Sequence, residues 1–208
     1  MLPLIAILCP AVHVVRFSGG RAVEQLLRAL ESRRDIDWPS RRVRLEHGDG
    51  IEPGQMDRIA RLGVIVVQNP PHFAVPPGVP VDLARSSFPQ PVRALLKHHI
   101  RLAFGSDGPW NPFANLRLAS ADQWQPQESL TREQAVIAYT YGSSFAEFRE
   151  QEKGRLLPGQ WADLAVLSQD IFTVPAEQLP STNSVLTMIG GQIVYDAKVL
   201  AVRPAPSQ

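Results

Sequence analysis

The chain has 208 residues, of which 44% are hydrophobic and 20% charged, a composition that suits a globular protein with one sizeable core. Its formal net charge is +1 and no long run of one sign occurs, so neither nucleic acid nor a membrane surface is an expected partner. The single cysteine, Cys9, excludes an intrachain disulfide and argues against a zinc site built from cysteines.

The first segment, residues 2–15, is apolar apart from His13. It lacks the preceding basic residues and the small-residue cleavage site of a secretory signal, and it is too short to span a membrane. We therefore predict a buried strand at this position and a cytoplasmic protein.

Strand and helix patterns then alternate along the chain with short connections. Apolar residues at helical spacing predict helices over residues 21–33, 53–63 and 92–96, whereas alternation or apolar runs predict strands over residues 42–47, 64–67 and 100–104. This alternation predicts a parallel sheet with right-handed crossovers.

The pattern changes in the second half of the chain. Thr131 and Gln134 form a capping box that predicts a helix reaching about residue 141. After Gly154 the pattern indicates strands: a buried one over residues 164–167, then residues 186–189 and 192–195 around the hairpin signal Gly190-Gly191. We place a boundary between residues 1–150 and residues 151–208.

The fold class that follows is α/β. About four strand–helix units precede the hairpin strands, whereas a closed (β/α) barrel needs eight. Four units can form an open sheet or half a barrel, and either leaves a sheet edge and an apolar face to be covered. We therefore expect a homo-oligomer, or a complex with a complementary N-terminal half.

Functional side chains of parallel α/β folds gather at the carboxyl ends of strands. His47 ends one predicted strand, Asp107 follows another, and Asn69 and His72 follow the strand between them. Imidazole and carboxylate groups on nearby strand ends can share a zinc ion. Taken singly, His47, Asp107 and His72 are each more typical of an ordinary turn or a hydrogen-bonded loop than of a metal site.

Four motifs, read together, resemble one known family. Residues 153–167 contain the pattern G-x-L-x-P-G-x-x-A-D-L-A-V-L, and residues 44–47 read Arg-Leu-Glu-His. Residues 67–70 read Val-Gln-Asn-Pro, and residues 105–109 read Gly-Ser-Asp-Gly-Pro. In this order they resemble the metal-dependent amidohydrolase superfamily, in particular its formamide-deformylase and D-aminoacylase subgroup.

The resemblance implies a fold and an activity. The fold would be the C-terminal half of a TIM-like (β/α) barrel over residues 1–150, followed by strands of a β-sandwich and a tail over residues 151–208. The activity would be metal-dependent hydrolysis of a non-peptide C–N bond in a small amide, formamide or N-acyl substrate. His47 and Asp107 would bind zinc or another divalent metal, Asp107 would also act as general base, and Asn69 and His72 would line the substrate cleft.

The chain also departs from the family pattern. It has no H-x-H pair, and Arg16 stands where a further ligand histidine is expected. Two ligands hold zinc weakly, because catalytic zinc sites ordinarily use about three protein ligands. Two alternatives to an active enzyme therefore stay open: a degenerate, non-catalytic remnant that serves in assembly, and a module that binds a small molecule.

Overall fold

A computed structural model describes residues 7–9, 12–74, 78, 90–108, 110–121 and 125–200 of the chain. Within that part, no helix has the length and apolar character needed to cross a membrane.

The main sheet has five strands in the order in which they occur along the chain: β1 (Ile7–Cys9), β2 (Val12–Ser18), β3 (Arg44–Asp49), β4 (Ile65–Gln68) and β5 (Leu102–Phe104). Strands β2 to β5 are parallel, which confirms the prediction of a parallel sheet, and β1 is antiparallel to β2. The single strand predicted over residues 2–15 is thus wrong for the described residues, which form two strands. Residues 1–6, 10 and 11 of that prediction lie outside the described part.

Seven helices belong to the described part of the chain: α1 (Gly20–Glu31), α2 (Trp38–Arg41), α3 (Met56–Arg61), α4 (Val92–Lys97), α5 (Pro112–Ser120), α6 (Arg132–Ile137) and α7 (Ser143–Ala146). The predicted apolar face of α1 is buried, as its spacing requires. The capping box before α6 is also confirmed, with the Thr131 hydroxyl accepting from the Gln134 N–H at 3.2 Å. The helical path continues beyond the predicted end, through a π-helical turn (Ala138–Gly142) into α7.

Helix α5 was missing from the predicted elements. Asn111 caps it by accepting from the N–H groups of Phe113 and Ala114, both at 3.0 Å, and Pro112 occupies its first turn. An Asn-Pro pair ahead of apolar residues is a helix-start signal that the sequence contains.

The C-terminal part is a separate antiparallel sheet of β6 (Leu164–Leu167), β7 (Ser184–Ile189) and β8 (Gln192–Asp196). The predicted hairpin is confirmed, since Gly190 and Gly191 have φ of 57° and 80°, both in the region that a two-residue turn of this type requires. The prediction that residues 164–167 are buried is wrong: Ala165 and Val166 are exposed. Leu164 and Leu167 are half-buried and Leu167 packs against the core, so only part of the apolar run is covered.

The core lies between the parallel sheet and its helices. It is built from side chains of β3, β4 and β5 together with α1, α3 and α4, with Leu27, Leu45, Ile59 and Leu95 fully buried. The segment between β6 and β7 also joins this core, where Leu179 is fully buried and the Asn111 amide donates to the Pro180 carbonyl at 2.9 Å. This segment is thereby packed against α5.

Candidate metal centre

Three side chains converge at the carboxyl edge of the parallel sheet. His47 belongs to β3, His72 lies in the turn after β4, and Asp107 lies in the turn after β5. One ligand atom from each residue can be chosen so that all three lie within 4.8 Å of one another. The structure thus places His47 and Asp107 at one edge, as the strand order predicts, and brings His72 to the same point.

His47 is held by an irregularity at the end of β3. Both His47 and Gly48 have positive φ, 71° and 58°, and the pairing with β2 shifts register here. The Gln68 side chain, itself fully buried, donates to the Gly48 carbonyl at 2.9 Å and fixes this bend from the neighbouring strand. For a residue with a side chain, the left-handed region costs about 1–2 kcal/mol, so the surrounding contacts impose this conformation.

Asp107 lies in a similarly constrained turn, with φ of 51° followed by Gly108 at 75°. The turn begins where the Gly105 N–H donates to the Gln68 carbonyl at 2.9 Å. It is supported by Asn115 on α5, whose buried amide donates to the Ser106 hydroxyl at 3.0 Å. Two of the six non-glycine residues with positive φ in the described part of the chain are therefore the two residues singled out for metal binding. Strain of this kind is concentrated at functional sites.

His72 is positioned by a short 3₁₀ turn, Pro70–Phe73, that follows β4 directly. The His72 N–H donates to the Asn69 carbonyl at 2.9 Å, and the two prolines between these residues restrict the backbone of the turn. Phe73 is buried against Phe104 in the core, which fixes the far end of the turn. The half-buried imidazole of His72 is thus directed back over the sheet edge.

Asn69, predicted to line the substrate cleft, lies at the same edge but is almost completely buried, with 6% of its surface exposed. Its side-chain oxygen lies where a side chain on Gly105 would be, only 2.5 Å from an ideal Cβ at that position. Glycine at position 105 is therefore needed for β5 to approach Asn69.

Asp49 is the residue of this site that the sequence reasoning missed. Its carboxylate accepts from the Gln90 amide at 2.9 Å and lies 3.1 Å from His72 Nδ1 and 4.0 Å from His47 Nδ1. Asp49 is buried, with 7% of its surface exposed. Its position two residues after His47 on the same strand end is the signal that could have identified it.

The four groups form an ordered array. Asp49 faces the Nδ1 atoms of both imidazoles, and the Asp107 Oδ2 atom faces their Nε2 atoms, at 3.5 Å from His47 and 3.6 Å from His72. Two imidazole nitrogens and a carboxylate oxygen are donors that suit zinc. The donor set therefore fits a divalent transition metal.

Comparisons with known proteins agree with this geometry. Residues 12–195 match the Amidohydrolase family, and the chain therefore belongs to that family. It is 30% identical to the putative amidohydrolase YtcJ of Bacillus subtilis (strain 168) over 212 residues, which covers 89% of this chain and 37% of that protein. It is 28% identical to the N-substituted formamide deformylase of Arthrobacter pascens over 193 residues, which covers 86% of this chain and 35% of that protein.

A solved structure shows the same fold. The atrazine chlorohydrolase TrzN from Arthrobacter aurescens TC1, in complex with zinc, matches with a TM-score of 0.62 and 24% identity, covering 91% of this chain and 45% of that one. The family match over residues 12–195 confirms the resemblance inferred from the motifs. The chain spans about a third of the length of the two curated relatives, 37% and 35%.

Proposed function

We propose that this chain carries the metal-binding edge of an amidohydrolase that hydrolyses a non-peptide C–N bond in a small amide, formamide or N-acyl compound. The observation that carries the proposal is the convergence of His47 and Asp107, with Nε2 and Oδ2 3.5 Å apart at the carboxyl ends of parallel strands. Family membership and the similarity to an N-substituted formamide deformylase support this class of substrate.

The side chains have distinct roles in this proposal. His47 and Asp107 hold the cation, for which zinc is the candidate because of the donor set. A divalent metal at this point would polarise the scissile carbonyl and favour attack by water near neutral pH. Asp107, which is partly exposed and thus accessible to substrate, takes a proton from the attacking water and passes it to the leaving nitrogen. Asn69 and His72 form the wall of the site beside it.

The architecture of the proposal is half of a barrel. The parallel sheet and its helices, residues 1–150, would be the C-terminal half of a TIM-like barrel, and residues 151–208 would contribute strands to a β-sandwich. The greater length of the relatives supports this assignment. A complementary N-terminal half, or a second copy of the chain, would then cover the open side of the sheet.

The exposed C-terminal sheet favours the second candidate function, a non-catalytic module for assembly or ligand binding. Ile193, Val194 and Tyr195 on β8 are 58%, 57% and 51% exposed. Three consecutive apolar residues exposed on an edge strand are typical of a surface that binds another polypeptide.

Hydrolysis assays separate the two functions. We expect the purified chain with zinc to release amine from an N-formyl amine or an N-acyl amino acid, and His47→Ala and Asp107→Asn to lower kcat/KM at least about 100-fold, since general acid–base groups typically contribute about 10²–10⁴. His98→Ala is the matched control, because His98 lies at the end of α4 beside Asp57 and away from the site. If the wild type has no turnover above that of zinc alone, the chain by itself is the non-catalytic module.

A further inference from the structure

We propose that His72 is a third protein ligand of the cation held by His47 and Asp107, and that Asp49 is the positioning residue that sets the His72 imidazole for that role. This inference rests on the metal site of the proposed function, but it concerns cation binding and needs no turnover. It replaces the expectation that His72 acts only as part of the cleft wall.

The distances across the site favour a shared cation over direct hydrogen bonds. Asp107 Oδ2 lies 3.5 Å from His47 Nε2 and 3.6 Å from His72 Nε2, beyond the usual 2.7–3.2 Å of a hydrogen bond with a nitrogen donor. Ligand atoms about 2.1 Å from a tetrahedral zinc ion are about 3.4 Å from one another. The two observed separations are therefore close to the edges of a zinc coordination polyhedron.

Asp49 determines which nitrogen the His72 imidazole presents. Its Oδ2 atom lies 3.1 Å from His72 Nδ1, so an N–H at Nδ1 donates to the carboxylate and Nε2 keeps its lone pair. The same Oδ2 atom is 4.0 Å from His47 Nδ1, too long for a hydrogen bond, so this carboxylate orients the His72 ring and not the His47 ring. A carboxylate behind a ligating histidine is the usual arrangement that fixes the tautomer and raises the affinity for the metal.

Asp49 is itself held rigidly. The buried Gln90 amide donates to its other oxygen, Oδ1, at 2.9 Å, and the Asp49 backbone carbonyl accepts from the Gly19 N–H at 2.7 Å. The histidine rings meet edge to face with centroids 5.0 Å apart. The His72 ring is therefore arranged before any cation binds, which lowers the entropic cost of binding.

The third ligand changes the expected affinity. Two ligands form a weak zinc site, whereas His47, His72 and Asp107 together reach the number typical of catalytic zinc. We therefore expect the chain to bind one zinc ion on its own side chains, without the H-x-H pair that its sequence lacks.

The test is titration of the full chain with zinc alone, in competition with a chelator of known affinity. We expect one zinc ion per wild-type chain. His72→Ala and His47→Ala should each weaken binding by more than about 100-fold, and Asp49→Asn by about 10- to 100-fold, the range seen when a second-sphere partner is lost. His98→Ala, which removes a histidine outside the site, should bind as the wild type does.

Two further readouts separate ligation from a purely structural effect. Zinc at 100 times its dissociation constant should raise the free energy of unfolding of the wild type and of His98→Ala by about 2.7 kcal/mol, and should not do so for His72→Ala. In imidazole ¹⁵N spectra of the wild type, the Nε2 resonances of His47 and His72 should shift when zinc is added. The ring resonances of His98 and His99 should stay unchanged. The spectra keep the test valid if a variant fails to fold.

The outcomes are distinguishable from those of the hydrolysis assay. Zinc binding that is lost in His47→Ala but intact in His72→Ala overturns the ligand role of His72, whether or not the chain hydrolyses amides. The absence of stoichiometric zinc in the wild type overturns the whole inference. Tight zinc that depends on His72, without turnover, supports the inference and contradicts the proposed function of the isolated chain.

Discussion

The two sheets of this protein are built from similar apolar residues but differ sharply in burial. Every residue of β4 in the parallel sheet is buried, from Ile65 at 1% exposure to Gln68 at 0%. The antiparallel sheet exposes most of β8, with Ile193 at 58% and Val194 at 57%. Adjacent residues of a strand point to opposite faces, so neither face of β8 is covered within the described part of the chain.

This difference in burial assigns stability to the parallel sheet and association to the antiparallel sheet. A parallel sheet needs both faces covered, and helices α1, α3 and α4 contribute to that cover within the chain. An antiparallel sheet can expose one face to solvent. Apolar residues exposed on both faces are typical of a surface that binds another polypeptide. We therefore expect substitutions in the parallel part to change folding and substitutions in β8 to change association.

The largest effect on folding is expected from Leu45→Ala in β3. Leu45 is fully buried, and removing a buried leucine side chain typically costs about 2–5 kcal/mol. Val194→Ala in β8 should cost less than about 0.5 kcal/mol, because little buried surface is lost. Urea denaturation of both variants measures how much free energy of unfolding each substitution removes. Equal losses in the two variants would contradict the expected difference between the sheets.

A somewhat smaller effect is expected from Gly142→Ala, in the π-helical turn that packs on β5. An added Cβ would lie 2.3 Å from the Leu102 carbonyl oxygen, so helix or strand must move, at a cost of about 1–3 kcal/mol. Gly54→Ala is the matched control, since a Cβ at that position has nothing within 4 Å. Thermal unfolding of the two variants compares them, and a stable Gly142→Ala would show that this contact is not tight.

Local patterns predicted the individual helices and turns better than the site. The apolar face of α1, the Thr131 capping box and the Gly190-Gly191 hairpin each depend on residues close in sequence. The burial of β6 could not be predicted from Leu164–Leu167 alone, because burial depends on whether another layer covers the strand. Likewise, strand order brought His47 and Asp107 together, but the turn that carries His72 to them depends on Phe73 packing in the core.

An intermediate effect, dependent on pH, is expected from Glu150→Gln at the junction of the two parts. Arg42 binds both carboxylate oxygens, at 2.6 and 2.9 Å, and these hydrogen bonds hold the pKa of Glu150 below its ordinary value of 4.5. Because the folded-state pKa is lowered, the stabilisation is complete above about pH 4.5 and is lost as the pH falls through the lower folded-state value.

The substitution should therefore cost about 1–2 kcal/mol at neutral pH and progressively less below pH 4.5. Denaturation of wild type and variant across this range measures the difference. Glu177→Gln, at an exposed position of the turn Ala176–Ser181, serves as the comparison outside this ion pair. A difference between wild type and Glu150→Gln that grows on acidification would contradict the assigned direction of the pKa shift.

The smallest effect on folding, and the largest on association, is expected from Ile193→Lys on β8. The side chain is more than half exposed, so the free energy of unfolding should change by no more than about 0.5 kcal/mol. A lysine on an exposed edge strand opposes pairing with another chain, because its charge would have to be desolvated.

If β8 binds a second copy, sedimentation should show the wild type as a dimer or larger species and Ile193→Lys as a monomer. Lys198→Glu, which also changes charge near this sheet but at a side chain already 83% exposed, should leave the assembly unchanged. If the wild type is a monomer alone but binds an added complementary N-terminal half, the apolar surface of β8 belongs to the contact with that half. If the wild type is a monomer both alone and with that half, this sheet is not an interface.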